Sequence, residues 1–474
     1  MTRTLGRTLG RQPRRLVRRA GTAGALACAA LAMSQVAVGT VGADRASSTE
    51  TVTLSVSNLP PSTESGAREA FLARVDEFEA LNPNIDLEPS EYEWDIATFA
   101  AQLAGGTLPM VFQAPFTDTQ GLIERGQVAD ITAEVETLPY AGSFNPNVLE
   151  VVQNAEGAIF GLPIAAYGIG LHYNRAMFEE AGLDPDTPPT TWAEVREFAA
   201  QIAEATGQAG YAQMTQNNTG GWMLTTLSYA FGGRLQVATA DGVDVTIDNP
   251  GTLAALEYLH ALRWEDNSMG ANFLLDWGTM NQAFAAGQVG MYMGGSDVYN
   301  SLVTENAVVP DTYGLTILPL EGTDAGVLGG GTATAVRADA SDAQRDAAVK
   351  WIDFFYMAKL TNQEAAVADA EALVANAAPI GTPALPIFGA EQLAESDAWV
   401  AEFVNVPQAQ MSTFRDNILD QPIVPEPPVQ TQETYAILDT VVQAVLTDEG
   451  VDIAALLADA DADVTALVES AAGG

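Results

Sequence analysis

Residues Gly161–Trp192 read GLPIAAYGIGLHYNRAMFEEAGLDPDTPPTTW. Within them Ile169–Tyr173 is strand-like. At their end Thr191 and Glu194 form a capping box for a helix whose apolar stripe is Trp192, Val195, Phe198 and Ile202. The same strand-to-helix alternation continues outward toward the amino end. Thr51–Ser57 alternates, with Val52, Leu54 and Val56 on one face. A helix is predicted from about Glu64 to Leu81, because Phe71, Val75 and Phe78 recur at helical spacing and Asn82-Pro83 stops it. Ile85–Leu87 predicts a second strand, Phe99–Leu103 part of a further helix, and Met110–Phe112 a third, buried strand. Strands alternating with helices place the chain in the α/β class, with parallel sheets covered on both faces. There is no internal repeat, and the proline-rich Gln421–Pro428 reads as a surface crossing.

The amino end carries a compartment signal. Residues 1–43 hold seven arginines (Arg3, Arg7, Arg11, Arg14, Arg15, Arg18 and Arg19) and no acid. An apolar, small-residue stretch from Ala20 ends in Val41-Gly42-Ala43 before Asp44. That order describes a signal peptide over 1–43, cut near Asp44. A retained anchor is the alternative, although glycine and threonine dilute a stretch barely long enough to span a membrane. Paired arginines also admit a twin-arginine signal. Cys28 is the one cysteine, so no internal disulfide can form. Ala25-Leu26-Ala27-Cys28 distantly resembles a lipoprotein cleavage box, which sets lipid anchoring through Cys28 against the cut near Asp44. The expected location is outside the cytoplasm, extracellular or on the cell envelope.

Of 474 residues, 431 remain after the leader, enough for two or three domains with sizeable cores. The chain holds 61 acidic against 20 basic residues, a net −41, and losing the leader's seven arginines makes the remainder more acidic still. Such a field repels phosphate backbones and excludes nucleic acid and anionic membranes as partners. It does not by itself name a cationic ligand, because solubility explains it equally well. Catalytic constellations are sparse. His172 and His260 are the only histidines, and both read as structural. Asp459, Asp461 and Asp463 imitate a calcium loop, but Val464 stands where the turn needs glycine, and the apolar spacing there predicts an acidic amphipathic helix. Gly329-Gly330-Gly331 fits either an anion cradle or a hinge. No cofactor and no metal are expected. Paired carboxylates of a glycosidase stay open among so many acids.

Gly161–Trp192 closely resembles the signature of extracellular solute-binding proteins of the maltose-binding type, which serve ATP-binding-cassette (ABC) sugar importers. Leu103–Thr132 (LAGGTLPMVFQAPFTDTQGLIERGQVADIT), Phe284–Ser296 (FAAGQVGMYMGGS) and Leu318–Val336 (LPLEGTDAGVLGGGTATAV) resemble further family segments in the family's order. Met110 departs from the pattern, where an aspartate is usual, and residues 359–388 match it poorly. The resemblance implies a two-lobed periplasmic-binding-protein fold of type II. Lobe one would comprise 51–166 plus 330–362, and lobe two 167–329 plus 363–474. Ala165–Gly170 and Gly326–Thr332 are the candidate hinges. The ligand would be a carbohydrate held between the lobes, the protein a monomer, and its partner the importer's membrane permease. By position in the pattern, Tyr167 faces the ligand at the first crossing, and Trp222 falls near an aromatic stacking position. Asp297 replaces a tryptophan of the maltodextrin binders. Phe116, Thr117 and Asn58 follow strands, Trp94 sits in an acidic loop, and Gly330 lies in the second hinge. Alternatives are a same-fold receptor for a polyamine or another cation, and a secreted glycosidase.

Overall fold

The computed structural model describes residues 51–94, 96–239 and 242–472. The leader, Cys28 and the expected cut near Asp44 lie outside the described residues. Among the described residues no helix is long and apolar enough to cross a membrane.

Eleven strands are described: β1 (Val52–Val56), β2 (Ile85–Pro89), β3 (Val111–Pro115), β4 (Gly161–Asn174), β5 (Ala209–Tyr211), β6 (Gln236–Thr239), β7 (Gly242–Val245), β8 (Val289–Gly295), β9 (Tyr313–Ile317), β10 (Val327–Val336) and β11 (Ile423–Val424). β1 is followed by the expected helix, Ser65–Leu81, which buries Phe71, Val75 and Phe78. Phe71 and Phe78 meet Trp351 edge-on at 6.1 and 5.3 Å, so this stripe anchors the core below the first strands. The helix Trp192–Thr206 carries both halves of the capping box at Thr191 and Glu194, and it ends on Gly207 in the left-handed region. Its Trp192 stacks on Phe231 at 5.6 Å.

The main sheet runs β2-β1-β3-β10-β4-β8-β5, with β11 added to β10 and β9 to β4. β1, β2 and β3 are parallel, as are β5 and β8. Beside these parallel pairs the sheet holds antiparallel ones, which the expectation of parallel sheets lacked: β10 is antiparallel to both β3 and β4, and β4 to β8 and β9. The reason lies in the length of β4. Its fourteen residues give partners on two stretches: Gly161–Gly168 lie against β10, and Ile169–Asn174 against β8 and β9. One strand thereby serves both halves of the sheet.

The poorly matching stretch near 359–388 also has a definite place. It contains the helix Gln363–Ala375. It ends at Phe388, which stacks on Phe144 at 4.8 Å and meets Tyr140 edge-on at 5.4 Å. The Asn145 side-chain amide donates to the Pro386 carbonyl at 3.0 Å.

Candidate functional site

The two glycine-rich segments singled out as hinges pair with each other. Gly329 lies opposite Gly168, Gly330 opposite Tyr167, Gly331 opposite Ala166 and Thr332 opposite Ala165, with a register shift just beyond Thr332. The glycines are there because other side chains occupy their space. A Cβ at Gly330 would stand 2.3 Å from Tyr167 Oη, and one at Gly331 would stand 2.6 Å from Phe116 Cε2. Successive amides of an extended strand point to opposite sides and cannot converge on an anion. The structure therefore supports the crossing and removes the anion cradle.

Tyr167 points from β4 toward Trp222, their rings edge-on with centroids 6.2 Å apart. Trp222 lies in the helix Thr219–Ala230, directly after Gly220 and Gly221. They let a second helix, Thr431–Thr447, approach so closely that a Cβ at Gly221 would fall 2.3 Å from the Tyr435 carbonyl. From that second helix the buried Asp439 carboxylate accepts the amides of Asn218 and Gly221, each at 2.8 Å, and so caps the first helix from outside. Trp222 is thereby fixed in the helix's first turn. Its Nε1 is buried and has no acceptor among the described residues.

Three carboxylates act on Tyr167 or on one another, each just beyond the carboxyl end of a strand, where open α/β sheets assemble their sites. Asp297 follows β8, and its Oδ1 and the Tyr167 ring lie 2.7 and 3.7 Å from where a Cβ of Gly295 would stand. Burial raises its carboxyl above the usual range. Asp118 follows β3 in the first turn of the helix Phe116–Glu124. Burial raises it too, opposed by hydrogen bonds from Thr117 and Trp94 and by the Arg125 charge. Glu426 follows β11. Burial pushes it up to about 7, the Tyr435 hydroxyl donating to it at 2.9 Å pulls it back, and repulsion from Asp118 adds to the rise. Tyr167 feels Glu426 and Asp297 as well, and with its burial this drives its hydroxyl far above the ordinary range.

The structure thus gathers Tyr167, Trp222, Asp297, Phe116 and Gly330. Thr117 donates to Asp118 at 3.1 Å. Trp94 lies against Phe99 and Phe112 at 4.9 and 6.3 Å, so one end of it is core while its indole reaches Asp118. Asn58 takes a left-handed backbone and gives its backbone amide to the Tyr92 carbonyl. Sequence reasoning missed Asp118, Glu426, Tyr435 and Asp439. Asp118 was adjacent to two named residues and could have been found. Glu426, an acid between prolines in a very acidic chain, carried no local signal.

The histidines are structural. His172 is fully buried, shares a 2.8 Å hydrogen bond with Tyr313 Oη and stacks on Tyr292, and burial lowers it to about 4. His260 Nε2 is 2.9 Å from the Glu449 carbonyl. Asp459, Asp461 and Asp463 lie on the helix Ile453–Ala472, whose apolar face buries Leu457, Val464 and Val468. Among the described residues no cluster of three histidine, cysteine or acidic side chains could hold a metal.

Comparison with known proteins gives this arrangement its context. The family described as bacterial extracellular solute-binding protein matches residues 73–377, more than half of the chain. The sn-glycerol-3-phosphate-binding periplasmic protein UgpB of Escherichia coli K12 is 26% identical over 188 residues, covering 38% of this chain and 41% of that protein. The chain therefore spans about two fifths of the length of such curated relatives. Among solved structures, the cyclic alpha-maltosyl-1,6-maltose binding protein of Arthrobacter globiformis superposes with a TM-score of 0.66 at 21% identity, covering 89% of this chain and all of that one. UgpB of Mycobacterium tuberculosis, in complex with glycerophosphocholine, gives 0.64 at 17% identity, covering 89% of this chain and 98% of that one. These likenesses establish the two-lobed binding-protein architecture. With the family match over most of the described body, the chain is a member of the bacterial extracellular solute-binding protein family.

Proposed function

We propose that this protein is an exported receptor that captures a carbohydrate between its two lobes and delivers it to the permease of an ATP-driven importer. One observation carries the reading: Tyr167 and Trp222 stand edge-on at the β4–β10 crossing, with Asp297 and Glu426 acting on Tyr167 and Asp118 acting on Glu426. Sugars present apolar C–H faces and hydroxyl rims, so their sites need aromatic platforms beside hydrogen-bond acceptors. The A. globiformis neighbour, named for an oligosaccharide, supports the same class. Binding without turnover is the expected activity.

The lobes meet at β4 and β10. Lobe one takes 51–166 and 330–362, and lobe two takes most of the remainder. The contacts of Phe388 with Tyr140 and Phe144 favour carrying 363–388 with lobe one. Phe116, Thr117, Trp94 and Asn58 serve the lobe-one wall, and Tyr167, Trp222 and Asp297 the opposite one, with Gly330 at the crossing. The protein acts as a monomer, released by a cut near Asp44. Mass spectrometry of the native protein checks the release, since an intact Met1 or a diacylglycerol on Cys28 contradicts it.

Calorimetric titration with a panel of neutral mono- and oligosaccharides tests the ligand class, and saturable binding by none of them sinks it. A second reading, a polyamine receptor, draws support from the three carboxylates. Titration with spermidine separates it. Incubation with oligosaccharides followed by chromatography separates a glycosidase, which would shorten them.

A further inference from the structure

We infer that the cleft takes only ligands without negative charge, and that Asp118, Asp297 and Glu426 make it reject the phosphate group for which its curated relatives are named. The inference rests on the cleft being the ligand site, and it says which chemistry that site excludes.

Proteins hold phosphate with arginine forks, helix N-termini or convergent backbone amides. Around Tyr167 these devices are either occupied or already faced by a carboxylate. The arginines whose charge the cleft feels are Arg125 and Arg234. Arg125 is bonded to Gln127, and Arg234 lies over the Tyr229 ring and donates to the carbonyls of Gly233 and Asp324. Two helices bring their N-termini here. The helix Thr219–Ala230 has its amides occupied by the Asp439 carboxylate. The helix Phe116–Glu124 carries Asp118 in its own first turn, so a carboxylate already sits in that positive field. The glycine run Gly329–Gly331 lies in extended β10, its amides pointing to alternate sides.

What remains is negative. Asp118 repels Glu426, and both Glu426 and Asp297 act on Tyr167. At pH 8, where Glu426 is ionised, a phosphate placed beside Tyr167 would meet Asp297 and Glu426, with Asp118 acting on Glu426. Each pKa unit's worth of such repulsion costs about tenfold in affinity. Sugar hydroxyls, by contrast, donate to carboxylates, so the same three groups favour a neutral polyol or a ligand bearing an amine.

The experiment titrates the secreted protein at pH 8, above the Glu426 midpoint, with maltose, with spermidine and with sn-glycerol 3-phosphate. It then repeats the phosphate arm on Asp118→Asn, on Glu426→Gln and on the double variant, with a thermal melt of each to confirm folding. Wild type is expected to give no saturable heat with millimolar sn-glycerol 3-phosphate. The double variant is expected to gain affinity for it by at least about tenfold. Saturable phosphate binding by wild type overturns the inference directly and needs no variant. Folded variants that gain nothing overturn the role given to the carboxylates. The maltose arm judges the carbohydrate reading separately, since its failure leaves the phosphate comparison intact.

Discussion

Glu426 reaches the cleft between Pro425 and Pro427, faces Asp118, and is held by the Tyr435 hydroxyl. Its carboxyl is raised from 4.5 to about 7, chiefly by burial. A raised acid retains its proton in the folded state while the unfolded chain has already lost it, so its contribution is fully present below about pH 4.5. It declines as pH climbs to about 7. Glu426→Gln should therefore match wild type in melting temperature near pH 4.5 and exceed it at pH 8, by a few kcal/mol at most. Paired melts across that range check it, and a gap independent of pH would contradict it. Trp222 makes the complementary case. Its ring is only partly buried and stands edge-on to Tyr167. Trp222→Ala is expected to weaken sugar binding by about 1–3 kcal/mol. The stability loss should stay below the ~3–5 kcal/mol typical of a core tryptophan. Calorimetry beside melts decides, and a large drop in melting temperature with unchanged affinity would remove Trp222 from the site. These two residues also mark how far the sequence could be read. Trp222 and Tyr167 were legible because they sit in or near segments with a recognisable local pattern. Glu426 was not, because its position depends on β11 adding to β10 about a hundred residues away, and on a tyrosine from the next helix.

At the scale of elements, local signals were read well and long-range ones poorly. The helix Ser65–Leu81 and the capping box at Thr191 are decided by spacing within one or two turns, and they appear as expected. The antiparallel pairing of β10 depends on a chain returning from the other half of the sheet, which no local periodicity reports. The helix Thr219–Ala230 shows the same limit. Nothing local marks its two glycines as the place where the helix Thr431–Thr447 comes into contact. That helix supplies Asp439 to cap Trp222's helix and Tyr435 to hold Glu426, so it fixes the surroundings of both residues together. Gly221→Ala places a methyl against the Tyr435 backbone, which cannot swing aside as a side chain would. It is expected to cost about 1–3 kcal/mol of stability and to weaken sugar binding as well. Gly66→Ala, with open space around its Cβ in the first turn of Ser65–Leu81, is the control, expected to be neutral or slightly stabilising. Thermal melts of both test the distinction, and equal effects would show that helix propensity alone is at work.

For the whole molecule, the decisive feature is that β4 and β10 pair across both halves of the sheet at glycine-rich residues. Two bodies joined by short crossings can rotate with few torsions changed. A ligand shifts that rotation only by contacts it makes better in one state than the other. On the proposed division Asp118 belongs to lobe one and Glu426 to lobe two, and the Asp118 charge raises Glu426. Without ligand this repulsion favours separation. A sugar whose hydroxyls donate to both carboxylates exchanges it for bridging hydrogen bonds, so closure and binding should be one event. A compact chain of roughly 430 residues has a radius of gyration of about 22 Å. Small-angle scattering should find the ligand-free protein above its sugar-bound value. Glu426→Gln, with the repulsion gone, should lie nearer the bound value even without sugar. Raising salt from 0.01 to 1 M should act in the same direction on wild type and less on the variant, because screening shortens from about 30 to about 3 Å. A radius unchanged by saturating sugar would count against the hinged trap. A variant identical to wild type would leave the hinge but remove these two carboxylates as what holds it open.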